Sequence, residues 1–316
     1  MRVDQSGAAV RALGAENLVD TLPKVPSVTL RPMDFTSDYT IGFNVTTKIM
    51  LQLARKVDEI AAWEDVDGIV VTHGTDVMEE VATFVDLTIT TDKPVVFTGA
   101  MRNSSLPGFD GPHNLLNAIQ VAAEPRAVGR GVLVCLNDEI HSARAVTKTH
   151  TRKTSTFASP GSGPVGVVDN GQVAYFAPAT RGRRYSVTET LPEVPLVWVA
   201  AGASASQLHA ALLEATGVVV AATGIGHVPS WWMPDIRKGI AEGKQIVLAS
   251  RCGSGPTGLG YAGPGGDLDL AEAGVILAGY RRPLQTRLEL MCALSAGLTP
   301  REIRSSFEER SGWIDQ

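Results

Sequence analysis

The feature that most constrains this chain is a series of short, wholly apolar segments, each closed by a turn and followed by residues at helical spacing. Gly68–Thr72 (GIVVT), Pro94–Thr98 (PVVFT) and Gly131–Leu136 (GVLVCL) are the first three. A strand apolar at every position is buried on both faces, and such strands alternating with helices imply a parallel sheet covered on both sides. The spacing predicts helices over Met78–Leu87 and Asn114–Ala123 between them. Val165–Val168 and Gln172–Phe176 flank Asn170-Gly171, which predicts a hairpin. A second series comes next: strands at Leu196–Ala200, Gly217–Thr223 and Gln245–Ser250, helices at Ala205–Ala215 and Pro234–Glu242, and two terminal helices at Pro283–Ala296 and Pro300–Arg310, each opened by proline.

With 316 residues the chain exceeds what one core usually serves. The polar, proline-containing stretch Thr180–Pro195 separates the two series. The expected architecture is α/β: a larger N-terminal domain over residues 1–185 with a mostly parallel sheet, and a smaller C-terminal parallel α/β domain over 195–316.

Charge and cysteine usage exclude several function classes. The net charge is −5, and the densest basic run (Arg181, Arg183, Arg184) reads as a solvated loop, so nucleic acid is not an expected partner. No apolar stretch reaches membrane-spanning length, and Met1–Leu13 lacks the apolar middle of a signal peptide. Cys135, Cys252 and Cys292 are odd in number and widely spaced. They read as buried free thiols in a reducing compartment, which points to the cytoplasm. The six histidines form no HExxH or paired spacing, so no metal site is expected; His73 and His113 read as structural or as supporting the candidate site without touching the ligand.

Three segments carry groups suited to chemistry. Val71-Thr72-His73-Gly74-Thr75-Asp76-Val77-Met78-Glu79-Glu80 lies where a buried strand ends and a helix begins, the usual place for a ligand in a parallel sheet. Gly74 allows close backbone approach there, and Thr75 and Asp76 offer a hydroxyl and a carboxylate. The competing reading makes Thr75 or Asp76 a plain helix cap. Thr98-Gly99-Ala100-Met101-Arg102 leads through a polar loop to Asp110-Gly111-Pro112-His113-Asn114 at a helix start. Arg144-Ala145-Val146-Thr147-Lys148-Thr149 places a lysine in a strand-like stretch. A desolvated lysine can accept a hydroxyl proton; an exposed one is only a surface charge.

Together, and in this order, THGTD-VMEE, TGAMR…DGPHNLLNA and VTKT resemble the signatures of the bacterial-type asparaginases. The resemblance extends into the C-terminal half through GIGH, SRC and the late Gly-Gly-Asp-Leu. It implies hydrolysis of the side-chain amide of L-asparagine to L-aspartate and ammonia by a threonine-based mechanism. Thr75 is similar to the second catalytic threonine, Asp76 to the residue that binds the substrate's α-amino group, and Lys148 to the proton-accepting lysine. Gly74, Thr75, Asp76 and Ala100 would then line the substrate, Ala100 through its carbonyl. The resemblance implies no cofactor, a small amide as partner, and a homo-oligomer (dimer or tetramer) with sites between subunits.

The chain departs from the family in three places. The opening Thr-Gly-Gly-Thr-Ile-Ala, whose first threonine is the usual nucleophile, has no match. Met1-Arg2-Val3-Asp4 onward resembles the segment directly after that motif in the family, as expected if translation starts further upstream. The Ser-Gln pair that grips the α-carboxylate falls on Gly42 and Phe43, with Ser37, Thr40 or Asn44 as substitutes if a gap is allowed. The asparagine lent to a neighbouring subunit falls near Ser204. Three alternatives stay open: a non-catalytic protein of the same fold that binds an amino acid or related amide, a dinucleotide-binding protein, and an amidase of a different substrate. The second rests on Gly253-Ser254-Gly255-Pro256-Thr257-Gly258, which matches GxGxxG but should then open a helix.

Overall fold

The computed structural model of the chain describes residues 2–3, 9–10, 14–20, 22–23, 25, 28–35 and 42–308, the backbone alone at 2–3 and 9–10. Ser37 and Thr40, and Met1, Asp4–Ala8 and Arg11–Leu13 of the opening segment, lie outside these residues. The chain divides into two compact units, Met1–Arg181 and Gly182–Gln316.

In the first unit, β1 (Arg2–Val3) and β2 (Ala9–Val10) form a short antiparallel pair, and α1 covers Ala15–Val19. Helix α2 (Thr47–Ala61) is capped by Thr46, whose hydroxyl accepts the Ile49 N–H. It buries Met50, Leu53, Ala54, Val57 and Ala61, the stripe expected of a helix with one covered face.

The central sheet derives from the apolar runs. Strands β3 (Ile69–Thr72), β4 (Val95–Thr98) and β5 (Val132–Leu136) are parallel, with Thr72 opposite Thr98, so two strands end in register. Helix α3 (Met78–Thr88) comes after β3, and α4 (Gly111–Ala123) after β4 with Pro112 in its first turn. At the end of β5 the chain reverses through Asn137 and Asp138, both at positive φ, into β6 (Glu139–Ser142). Strands β7 (Thr147–Lys148) and β8 (Phe157–Ala158) pair antiparallel apart from the main sheet. The expected hairpin is present as β9 (Gly166–Asp169) and β10 (Gln172–Tyr175), joined by Asn170 and Gly171 at positive φ. The sheet order is β10-β9-β6-β5-β4-β3. It is a mixed sheet: the parallel half holds the strand ends of interest, and three antiparallel strands extend it.

The second unit has a wholly parallel sheet, β11 (Leu196–Trp198), β12 (Gly217–Ala222), β13 (Gln245–Ser250) and β14 (Ile276–Leu277), in that order, with α5 (Ser206–Glu214), α6 (Met233–Ala241), α7 (Asp267–Glu272), α8 (Pro283–Ser295) and α9 (Pro300–Glu308). Its core gathers Leu208, Val218, Val220, Trp232, Ile236 and Leu248. The polar stretch before β11 is held within this unit: the Tyr185 hydroxyl donates to Glu289, and the Thr188 N–H to the Ser295 hydroxyl.

Candidate active site

Strand β3 ends at Thr72, and the His73 N–H donates to the Thr98 carbonyl, tying the exits of β3 and β4 together. The two loops touch. A β-carbon on Gly99 would lie 2.5 Å from the His73 carbonyl oxygen and 3.5 Å from the Thr75 methyl, so the β4 exit runs against the Thr75 loop only because residue 99 lacks a side chain. A β-carbon on Gly42 would lie 3.2 Å from the Gly74 α-carbon, which brings Gly42–Asn44 to the same place. Phe43 is 60 % exposed.

The helix-cap reading of Thr75 and Asp76 fails on geometry. The N-cap position of α3 is Val77, without a side-chain cap. The side chains of Thr75 and Asp76 point instead at Lys148. Its ammonium nitrogen lies 2.9 Å from Thr75 Oγ1 and 2.6 Å from Asp76 Oδ1. These groups are more than 70 residues apart in the chain. The Lys148 side chain is 15 % exposed and that of Asp76 61 %, so the lysine is shielded while its carboxylate partner faces solvent. This places the amine beside a hydroxyl at a helix N-terminus, where unpaired N–H groups favour negative charge.

Behind these groups lies a second layer that no sequence motif assigns by itself. The Asn114 carboxamide donates to the Gly99 carbonyl and to Asp110, and accepts the Asn137 N–H. The Asp110 carboxylate accepts the N–H groups of Met101 and Arg102. Ala100 therefore sits in a loop fixed on both sides. His73 donates from Nδ1 to the Gly74 carbonyl at 2.6 Å, while Nε2 is buried and meets no hydrogen-bonding group among the described residues. Burial holds its pKa below the ordinary histidine value, against the raising effect of that hydrogen bond.

The remaining sites read from the sequence are dispersed or unsupported. Asn44 is exposed at the end of its one-turn helix. Ser204 lies in the second unit, its hydroxyl 2.7 Å from that of Ser206. The GxGxxG stretch Gly253–Gly258 opens no helix; the chain continues as loop to α7, so the dinucleotide reading is set aside. Cys135 and Cys292 are buried, and burial pushes the Cys135 thiol up to about 12, but Cys252 is exposed, contrary to the expectation for all three. Among the described residues no group of acidic, histidine and cysteine side chains is arranged to hold a metal ion, and no helix is long and apolar enough to cross a membrane.

The family profile described as "Asparaginase, N-terminal" matches residues 1–181, and that described as "Glutaminase/Asparaginase C-terminal domain" matches residues 193–307. The chain belongs to the asparaginase family. It is 35 % identical over 308 residues to L-asparaginase 2 of Bacillus subtilis, covering 94 % of this chain and 79 % of the relative. L-asparaginase 2 of Escherichia coli is 34 % identical over 319 residues, 96 % of this chain and 87 % of the relative. The glutaminase-asparaginase of Pseudomonas fluorescens is 36 % identical over 273 residues, 84 % of this chain and 74 % of the relative.

Proposed function

We propose that this chain hydrolyses the side-chain amide of L-asparagine to L-aspartate and ammonia at the Thr75–Asp76–Lys148 cluster. The observation that carries the proposal is the Lys148 ammonium nitrogen 2.9 Å from the Thr75 hydroxyl, in a shielded position beside the loop that leaves the parallel strand β3. A threonine hydroxyl is a weak nucleophile and needs a base within hydrogen-bond reach. In its neutral form Lys148 is that base, and Thr75 and Lys148 form the proton path to the oxygen that adds to the amide carbon. Backbone N–H groups at the start of α3 supply the donors for the developing oxyanion in this reading. The proton that Lys148 has taken passes to the amide nitrogen, which leaves as ammonia, and water then hydrolyses the ester formed on that oxygen, releasing aspartate and restoring the hydroxyl.

In this reading Asp76, largely exposed, receives the substrate's α-ammonium group, and Gly74 gives the backbone access to it. Ala100 offers its carbonyl to the substrate amide from the loop fixed by Asn114. Assembly as a homo-oligomer belongs to the same reading. The name of the Pseudomonas relative makes L-glutamine the second substrate to assay.

The test is ammonia release from L-asparagine and L-glutamine, alongside calorimetric binding of both. It is run on this chain and on a form extended upstream to the preceding in-frame start. Turnover of asparagine that disappears in Lys148→Met supports the proposal. Asparagine binding without ammonia release, from folded protein of both forms, would favour the non-catalytic alternative.

A further inference from the structure

Helix α3 carries three polar side chains on one buried face: Glu79, Thr83 and Asp86, at positions i, i+4 and i+7. A helix whose other buried residues are Met, Val, Ala, Phe and Leu has no packing use for such a stripe, and each buried polar group costs free energy unless it is bonded. All three reach the segment that leads to Lys148. The Asp86 carboxylate pairs with the Arg144 guanidinium and accepts the Val132 N–H at 2.7 Å. The Thr83 hydroxyl lies 2.8 Å from the Ala143 carbonyl and 2.6 Å from that of Glu79. The Glu79 carboxylate, in a residue 7 % exposed, accepts the backbone N–H of Lys148 itself at 2.5 Å.

The pattern has a geometric consequence. Thr75 and Asp76 immediately precede α3, while Lys148 stands on β7, a strand of two residues paired only with the equally short β8. So short a pair fixes a backbone poorly. After Lys148 the chain is tied to Thr156, whose carbonyl accepts the Thr149 N–H and whose hydroxyl accepts the His150 N–H; before it the stripe on α3 holds the backbone, from the helix whose N-terminal loop carries the lysine's partners. Glu79 is the last point of attachment before the reacting groups. Its position in the first turn of α3 also favours a carboxylate there.

We infer that Glu79 is a positioning residue of the proposed amidohydrolase site, holding the backbone of Lys148 so that its amine meets Thr75. This rests on the reading of the site given above. The test compares Glu79→Gln, which keeps an acceptor oxygen at the same reach, with Glu79→Met, which fills similar space without one. Two quantities are measured well below the unfolding temperature: kcat and KM for L-asparagine, and hydrogen exchange at the Lys148 amide. In Glu79→Met, kcat is expected to fall by about 10²-fold, because small misplacements of a base are costly. KM should stay within about twofold, and the Lys148 amide should exchange faster. Glu79→Gln should recover most of both. If Glu79→Met does not fold, Glu79→Asp, one methylene short, takes its place. Unchanged kcat and exchange in the Met variant, or a Gln variant as impaired as the Met one, would overturn the inference. If even the unaltered chain releases no ammonia in either form, the proposed function fails, while the exchange comparison still decides whether Glu79 holds Lys148.

Discussion

The carboxamide of Asn114 donates to the Gly99 carbonyl at 2.9 Å, binding the first turn of α4 to the loop that leaves β4. The same carboxamide accepts the Asn137 N–H from the end of β5 and reaches Asp110, so one side chain, 2 % exposed, joins the ends of two strands to the start of α4. Asn114→Ala leaves the Gly99 carbonyl and the Asn137 N–H without this partner. The expected loss is about 2–3 kcal/mol of stability, read as a lower denaturation midpoint. Because Ala100 comes directly after Gly99, catalytic efficiency should fall further than stability alone explains. A variant with wild-type kcat/KM and wild-type midpoint would show the hub to be dispensable.

Replacing Lys148 by methionine separates chemistry from folding. The backbone N–H that Glu79 accepts is untouched, and only the contacts to Thr75 and Asp76 disappear. The lost ion pair involves a carboxylate that is largely exposed, so the thermal midpoint should hardly move. Turnover should drop by roughly 10²–10⁴-fold, the range for removal of a general base. Retained turnover would remove Lys148 from the proposed mechanism.

How much of this is legible in the sequence depends on how local each signal is. The strands β4 and β5 are readable because burial on both faces forces nearly every position to be apolar; β3 is apolar through Ile69–Val71 although only Ile69 is buried and Thr72 is exposed, so its double burial is not realised. The β9–β10 hairpin is readable because Asn170-Gly171 suits positive φ. Strand β6 is not: its turn, Asn137-Asp138, lacks glycine, and Glu139-Ile140-His141-Ser142 is too polar and too short to register as a buried strand. The Thr75, Asp76 and Lys148 segments stand out one by one, but the 2.9 Å contact between them is a product of topology. Glu79 is visible in the sequence only as part of a signature. The Glu79-Thr83-Asp86 spacing is the signal that points to its role, since polar groups at i, i+4 and i+7 in an apolar helix mark a buried bonded face.

Burial lowers the pKa of both His73 and His141 below the ordinary histidine value of 6.5, in His141 against the raising influence of Glu139. The folded state therefore binds fewer protons than the unfolded state in the window below pH 6.5. Stability should rise with pH through that window and flatten above it, by at most about 1.4 kcal/mol per pH unit for each histidine. His73→Asn should reduce the slope and leave the His141 share. Denaturation midpoints between pH 5 and 8, taken as roughly the range in which histidine titrates, check this. An identical slope in His73→Asn would mean that His73 is not held neutral by the fold.

The second unit is closed by a different device. Arg281 pairs with Glu289 at 2.6 Å, and both side chains are largely buried. The Arg281 guanidinium also donates to the Ser306 and Phe307 carbonyls at the end of α9, and Tyr185 donates to the other oxygen of Glu289. Burial, with Glu289 as the next cause, pushes the Tyr185 phenol well above its ordinary value, so it remains a donor. Arg281→Met leaves Glu289 buried beside one neutral donor, and breaking such a pair costs about 3–5 kcal/mol. Arg281→Lys should recover little, because a single ammonium cannot reproduce the planar fork that serves a carboxylate and two carbonyls at once. Tryptophan fluorescence reports the loss selectively: of the four tryptophans among the described residues, Trp198, Trp231 and Trp232 lie in the second unit and Trp63 in the first. A fluorescence midpoint in Arg281→Met equal to that of the unaltered chain would mean that the α8–α9 end is held by packing alone.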